Sequence, residues 1–191
     1  MTDLRVEQAL IEEALIAQIR QRAHNLYQTR QMLCTEAVLV ALNHGLGGDL
    51  TEAQAVAMAA PFCAALGESG CLCGALSGAV LASGLLLGSG NPYARRREMR
   101  DNALELHNAF KTAHGATCCR VLTREVRHDS SAHFRQCAGF TAQAAEMAAR
   151  LILRKQPGLA GRADKSFLAK RQSRIQGVLL AFFKRFRIFQ P

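Results

Sequence analysis

The chain contains no tryptophan, only four prolines in 191 residues, and few aromatic residues of any kind. Aromatic residues make up 6% of the sequence and charged residues 20%, whereas hydrophobic residues make up 49%. This composition excludes a fully disordered chain and a collagen-like chain. The apolar residues are mostly Ala and Leu, which are the strongest helix formers. We therefore expect an all-α protein with one well-packed domain and an appendage.

The positive charge of the chain is confined to its C-terminal end. The formal net charge is +9, and residues 154–191 contain ten basic residues and one acidic residue. The preceding residues are neutral overall, so the high isoelectric point does not indicate nucleic-acid binding. The first fifteen residues include four acidic side chains and lack the basic and apolar regions of a secretory signal. We expect a cytoplasmic protein.

Helical spacing of apolar residues predicts one helix over residues 4–43. A second helix is expected to begin in the segment 49–52, capped by Thr51 or Asp49, and to be kinked or interrupted at Pro61. Two further helices are predicted over 95–113 and 130–153. No segment shows the alternation typical of a strand.

An uncharged segment of 26 residues, 69–94, is rich in glycine and alanine. Its length alone would allow a membrane span. However, its glycines form two small-xxx-small pairs, which also suit close helix packing in water, and no second span is present for it to pack on. The sequence therefore favours a compact helical bundle around a buried, Gly/Ala-rich central helix. The paired glycines are Gly74, Gly78, Gly84 and Gly88.

The tripeptide at 156–158, Gln-Pro-Gly, predicts a boundary between a helical domain, 1–155, and a basic extension, 156–191. Apolar residues of this extension fall on one stripe of a predicted amphipathic helix. Such a helix could lie on an anionic membrane surface through residues 167–189, dock on a partner, or fold back onto its own domain. The stripe consists of Ile175, Val178, Leu179, Phe182, Phe183 and Phe186.

Seven cysteines are the most informative residues for function. In a reducing compartment they are expected to be metal ligands, redox thiols or buried apolar residues rather than a disulfide framework. Their spacing matches no familiar zinc or ferredoxin pattern. Most lie near a predicted helix start or turn, where backbone N–H groups favour the thiolate. They are Cys34, Cys63, Cys71, Cys73, Cys118, Cys119 and Cys137.

Four of these cysteines have familiar neighbours: Cys34 opens Cys-Thr-Glu-Ala-Val-Leu, Cys73 opens Cys-Gly-Ala-Leu-Ser-Gly, Cys119 lies in Thr-Cys-Cys-Arg-Val-Leu, and Cys137 precedes Ala-Ala-Glu. In this order, residues 20–153 resemble the C_GCAxxG_C_C family of redox-active proteins, with a more distant similarity to the split-Soret cytochromes. The sequence departs from the family pattern because a glycine follows Cys73 rather than preceding it. No Cys-x-x-Cys-His motif is present, so no c-type haem is expected.

The resemblance implies a helical domain in which Cys34, Cys73, Cys119 and Cys137 converge on one redox site. We expect these four to bind an iron–sulfur cluster that transfers electrons to a redox partner protein. A dithiol/disulfide couple is the alternative, and so is a non-redox interaction protein whose basic tail binds a membrane or a partner. An electron-transfer or accessory protein is favoured over a stand-alone enzyme, and a homodimer stays open. The additional candidate thiols are Cys63, Cys71 and Cys118, of which Cys118 is an alternative to Cys119.

Overall fold

The computed structural model describes residues 2–91, 93–173 and 176 of the chain. All regular secondary structure within these residues is helical, which confirms the all-α class. Short 3-10 turns at Ala60–Phe62, Arg124–Val126 and Pro157–Arg162 connect some of the helices. The helices are α1 (Thr2–Gln28), α2 (Cys34–Gly45), α3 (Glu52–Ala59), α4 (Cys63–Glu68), α5 (Gly74–Leu87), α6 (Arg96–His114), α7 (Cys119–Leu122), α8 (Ser130–Lys155) and α9 (Lys165–Ala169).

The helix predicted over residues 4–43 is in fact two helices, so that prediction is wrong at its centre. The chain turns between α1 and α2, where Arg30 has a φ of 59°. Met32, within the turn, is buried in the core. Apolar spacing therefore continues through the turn and gives no sign of it. As a consequence, Cys34 is the first residue of α2 rather than a residue inside a longer helix.

The core lies where α2, α5 and α8 pack together, with α1 against α2 and α8 and with α6 against α5 and α8. Residues 37–42 of α2 are at most 1% exposed. Most of α5 is buried as well, which confirms the predicted central helix. In the part of the chain that the structure describes, no helix combines the length and the apolar character needed to cross a bilayer.

Two glycines allow α5 to approach α2 closely, as the small-residue pattern predicted. A Cβ atom at Gly74 would lie 2.5 Å from Sγ of Cys34 and 3.0 Å from the carbonyl oxygen of Phe62. A Cβ atom at Gly78 would lie 2.8 Å from the carbonyl oxygen of Thr35. Any larger residue would separate the two helices, so these glycines bring the N-terminal ends of α2 and α5 together.

Side-chain caps fix the starts of two helices. The hydroxyl of Thr51 accepts from the N–H of Gln54 at 3.3 Å, and the Gln54 side chain accepts from the N–H of Thr51 at 2.9 Å. Asp129 accepts from the N–H groups of Ser131 and Ala132, both at 2.9 Å. These contacts satisfy backbone donors that have no partner within the helix. The starts of α3 and α8 therefore follow from local sequence.

The segment after α8 packs back onto the bundle as far as it is described. The 3-10 turn at Pro157–Arg162 packs on α8, and α9 packs on α1 and α2. The Phe167 ring is 8% exposed; it lies 4.7 Å from the guanidinium of Arg22 and 5.0 Å from the ring of His44. The predicted amphipathic stripe lies outside the described residues, and the domain boundary at 156 stays a prediction.

Candidate functional site

The cysteines gather around the N-terminal ends of α2 and α5. Cys34 is the first residue of α2, and Cys73 immediately precedes α5. Cys63 follows the 3-10 turn after α3, Cys119 is the first residue of α7, and Cys137 lies within α8. The close approach of α5 to α2 at Gly74 and Gly78 is what brings these separate segments together.

Cys34 and Cys63 form the first thiol pair. The sulfur of Cys63 lies within hydrogen-bonding reach of the Cys34 thiol and of the backbone of Glu36 in the first turn of α2, and the Cys63 thiol also donates to the carbonyl of Ala59 at 3.7 Å. The hydrogen bond from Cys34 lowers the pKa of Cys63 to about 7. The same hydrogen bond and burial raise the pKa of Cys34. The pKa of Cys63 is therefore well below that of Cys34.

Cys73 and Cys119 form the second thiol pair. The Cys73 thiol donates to the sulfur of Cys119, and the backbone N–H of Gly74 donates to the same sulfur. The hydrogen bond from Cys73 lowers the pKa of Cys119 to about 7, while that bond and burial raise the pKa of Cys73. Cys73 is 3% exposed, whereas Cys119 is only half-buried. The pair therefore combines a reachable thiolate with a buried thiol.

Cys137 has a different neighbour, the phenol of Tyr27. Burial raises the pKa of Cys137 to about 11, the nearby Cys119 adds to this rise, and a hydrogen bond with Tyr27 opposes it. Tyr27 stacks on Phe134 with ring centroids 4.9 Å apart, which holds the phenol in place. Sequence analysis did not identify Tyr27 as a site residue, because a buried tyrosine at helical spacing is indistinguishable from a core residue.

Cys71 and Cys118 form a disulfide that joins positions 47 residues apart, with their Cα atoms at 4.3 Å. Two backbone hydrogen bonds hold the two segments together. The N–H of Cys73 donates to the carbonyl of Thr117 at 2.8 Å, and the N–H of Arg120 donates to the carbonyl of Gly70 at 3.0 Å. The sequence placed two cysteines in each segment but could not pair them.

The backbone between Cys63 and the disulfide adopts an unusual left-handed turn. Ala64, Ala65, Leu66 and Gly67 have φ angles of 51°, 60°, 56° and 62°. This conformation costs an L-residue about 1–2 kcal/mol, and only glycine adopts it freely. Strained backbone of this kind concentrates at functional sites, where the surrounding packing holds it. The left-handed turn therefore marks the segment between Cys63 and Cys71 as part of a candidate functional site.

The four cysteines chosen from the sequence do come together, although nothing in their arrangement assigns their roles. Cys119 is hydrogen-bonded to Cys73 and lies close enough to Cys34 and Cys137 to influence their pKa values. Thiolates are suitable ligands for an iron–sulfur cluster. Among the described residues, however, no group of three or more His, Cys, Asp or Glu side chains is arranged to hold a metal ion. The iron–sulfur cluster therefore stays a prediction.

Comparison with known proteins agrees with the chemistry of these thiols. A family model described as "Putative redox-active protein (C_GCAxxG_C_C)" matches residues 32–151, which is more than half of the chain. No curated protein and no solved structure gives a significant match. The similarity to split-Soret cytochromes therefore stays a prediction.

Proposed function

The chain belongs to the C_GCAxxG_C_C redox-active family, and we propose that it is a thiol–disulfide redox protein whose exchanging pair is Cys73 and Cys119. The observation that supports this function is the pairing of the buried Cys73 with the half-buried Cys119, whose pKa the neighbouring Cys73 thiol lowers to about 7. Thiolates are the attacking species in thiol–disulfide exchange, and a nearby second thiol completes the reaction. Cys73 stands at the start of α5 and Cys119 at the start of α7, and the two lie next to each other.

The reaction proceeds by two exchange steps. The Cys119 thiolate attacks one sulfur of a disulfide on an oxidised partner protein, and the other partner sulfur leaves as a thiolate. Cys73 then loses its proton and attacks the Cys119 sulfur, which releases the second partner thiolate. The pair Cys73 and Cys119 thereby loses two electrons and becomes a disulfide, and the partner disulfide becomes a dithiol. The reverse sequence reduces the pair.

The helix start at α5 assists this chemistry. The backbone N–H of Gly74 donates to Cys119, and backbone N–H groups of Ala75 and Leu76 donate to the Cys73 sulfur. These donors stabilise negative charge on whichever sulfur is ionised, as the N-terminal end of a helix does in general. Cys34 and Cys63 repeat the arrangement at the start of α2 and supply a second two-electron pair.

An iron–sulfur protein is the second candidate function. It is favoured by one observation, the convergence of Cys34, Cys73, Cys119 and Cys137 on the same end of α2 and α5. A bound cluster would supply one-electron transfer, with these thiolates as its ligands. Because the described side chains are arranged as pairs, the thiol–disulfide function is the better supported of the two.

One set of measurements on the full-length protein distinguishes these functions. The protein would be purified without oxygen, analysed for iron, acid-labile sulfide and visible absorbance, and then equilibrated with glutathione buffers. We expect a metal-free, colourless protein in which thiols at Cys73 and Cys119 disappear together, with a slope of about 30 mV per tenfold change for two electrons. Mass spectrometry after alkylation would locate the new disulfide.

Two variants serve as a matched comparison. Cys73→Ser should abolish the two-electron transition of this pair, whereas Cys137→Ser should retain it. Stoichiometric iron and sulfide, with visible absorbance bleached by dithionite, would replace the proposal with the iron–sulfur function. A metal-free protein whose thiols do not respond to the buffers would point instead to an interaction protein.

A further inference from the structure

The Cys71–Cys118 disulfide lies on the same two segments as the proposed exchanging pair. Cys71 and Cys73 are two residues apart, and Cys118 and Cys119 are adjacent in the chain. The backbone hydrogen bonds at 2.8 Å and 3.0 Å described above join these segments, and the Arg120 guanidinium adds a hydrogen bond to the carbonyl of Ser69 at 2.6 Å. The two cysteine pairs are therefore held on one small, doubly hydrogen-bonded unit.

The two pairs differ in their access to solvent. Cys71 is exposed, whereas Cys118 and Cys119 are both half-buried and Cys73, immediately before α5, is only 3% exposed. A second protein can therefore reach the sulfur of Cys71 more readily than that of Cys73. Thiol–disulfide exchange needs a direct approach of the attacking sulfur, so exposure decides which disulfide reacts first.

We propose that the Cys71–Cys118 disulfide is the entry point for electrons, which pass from it to Cys73 and Cys119 by internal thiol–disulfide exchange. This inference rests on the proposed function, because it requires that Cys73 and Cys119 form a disulfide of their own. The partner it implies is a protein or small molecule that carries a reactive dithiol.

The proposed steps balance in atoms and electrons. A thiolate of the reduced partner attacks the sulfur of Cys71, and Cys118 leaves as a thiolate. The partner's second thiolate then attacks the partner sulfur that is bonded to Cys71, and Cys71 leaves as a thiolate. The partner is now a disulfide, and Cys71 and Cys118 are a dithiol. When Cys73 and Cys119 form a disulfide, the Cys71 thiolate attacks the sulfur of Cys73, and Cys119 leaves as a thiolate. Cys118 then attacks Cys71 in the resulting Cys71–Cys73 disulfide, and Cys73 leaves as a thiolate. The result is the Cys71–Cys118 disulfide and a reduced inner pair.

The order of reduction in the unmodified chain tests this route. Fully oxidised protein would be mixed with one equivalent of dithiothreitol, quenched with acid at successive times, alkylated and mapped by mass spectrometry. We expect free thiols, detected by the label, to appear first at Cys71 and Cys118. At later times, without further reductant, they should appear at Cys73 and Cys119 instead. First labelling at Cys73 and Cys119 would overturn the route.

A double variant, Cys71→Ser with Cys118→Ser, gives the second arm of the test. Removal of the outer disulfide should slow reduction of Cys73–Cys119 about tenfold or more, because the reductant must then reach the less accessible pair. An unchanged rate in this variant would overturn the route and leave the proposed function intact. If oxidation of the unmodified chain produces no Cys73–Cys119 disulfide, both the route and the proposed function are wrong. The order of labelling needs no variant and holds even if the double variant folds poorly.

Discussion

Gly74 and Cys34 are packed so tightly that a methyl group cannot be added between them. A Cβ atom on Gly74 would stand 2.5 Å from the sulfur of Cys34. This contact joins the first turn of α5 to the first residue of α2 and places the two thiol pairs side by side. The geometry of the cysteine cluster therefore depends on a residue that carries no chemistry of its own.

The substitution Gly74→Ala should destabilise the protein by about 1–3 kcal/mol, because the added methyl group overpacks the contact between α5 and α2. Urea unfolding of the reduced protein would measure the change. Gly84→Ala, in the same helix, is the matched control: nothing lies within 4 Å of its Cβ position, and alanine favours a helix over glycine by about 1 kcal/mol. Equal effects of the two substitutions would contradict the packing argument.

The reactivity of Cys119 should depend on pH near neutrality. The hydrogen bond from Cys73 lowers the pKa of Cys119 to about 7. The rate at which iodoacetamide alkylates Cys119 should therefore be low below pH 7 and should rise as the pH increases through 7. Cys137, whose pKa burial raises to about 11, should react only in more alkaline solution. Mass spectrometry of samples alkylated between pH 5 and 10 would give both profiles.

Cys73→Ala is the decisive variant for that profile. It removes the donor to Cys119, so the pKa of Cys119 should rise toward its ordinary value and the reactivity profile should shift to higher pH. A Cys119 profile that does not move would show that Cys73 is not its hydrogen-bond donor.

Tyr27→Phe tests the environment of Cys137. The phenol of Tyr27 lowers the pKa of Cys137 through a hydrogen bond, in opposition to burial. Its removal should therefore raise the pKa of Cys137 further and slow its alkylation at a fixed alkaline pH. The phenylalanine retains the stacking on Phe134, so the loss of folding stability should be only about 1 kcal/mol. Faster alkylation of Cys137 in this variant would refute the contact.

Phe167→Ala tests whether residues after α8 belong to the folded bundle. Phe167 is buried against Arg22 and His44, so its truncation should cost about 3–5 kcal/mol in the free energy of unfolding. Tyr93→Ala is the control, because Tyr93 is 82% exposed and its loss should change stability by no more than about 0.5 kcal/mol. If Phe167→Ala is equally mild, residues 156–191 behave as the separate extension that the sequence predicted.

Local sequence determined most of the helical architecture of this protein. The composition predicted an all-α fold, Thr51 predicted a helix start through its side-chain cap, and the glycines of α5 predicted a close helix contact. These features depend on residues near one another in the chain, so their physical causes can be seen without the tertiary structure. The break before Cys34 was missed because Met32 is buried and continues the apolar pattern.

The sequence also identified the residues that carry the chemistry, but only the tertiary structure decided how they are paired. The thiol of Cys63 donates to the carbonyl of Ala59, four residues earlier, but it meets Cys34 only because the left-handed turn and the contact at Gly74 bring distant segments together. Cys118 pairs with Cys71, and Cys119 with Cys73, for the same reason. A hydrogen bond or a disulfide depends on distances of a few ångströms in space, and spacing along the chain does not fix those distances.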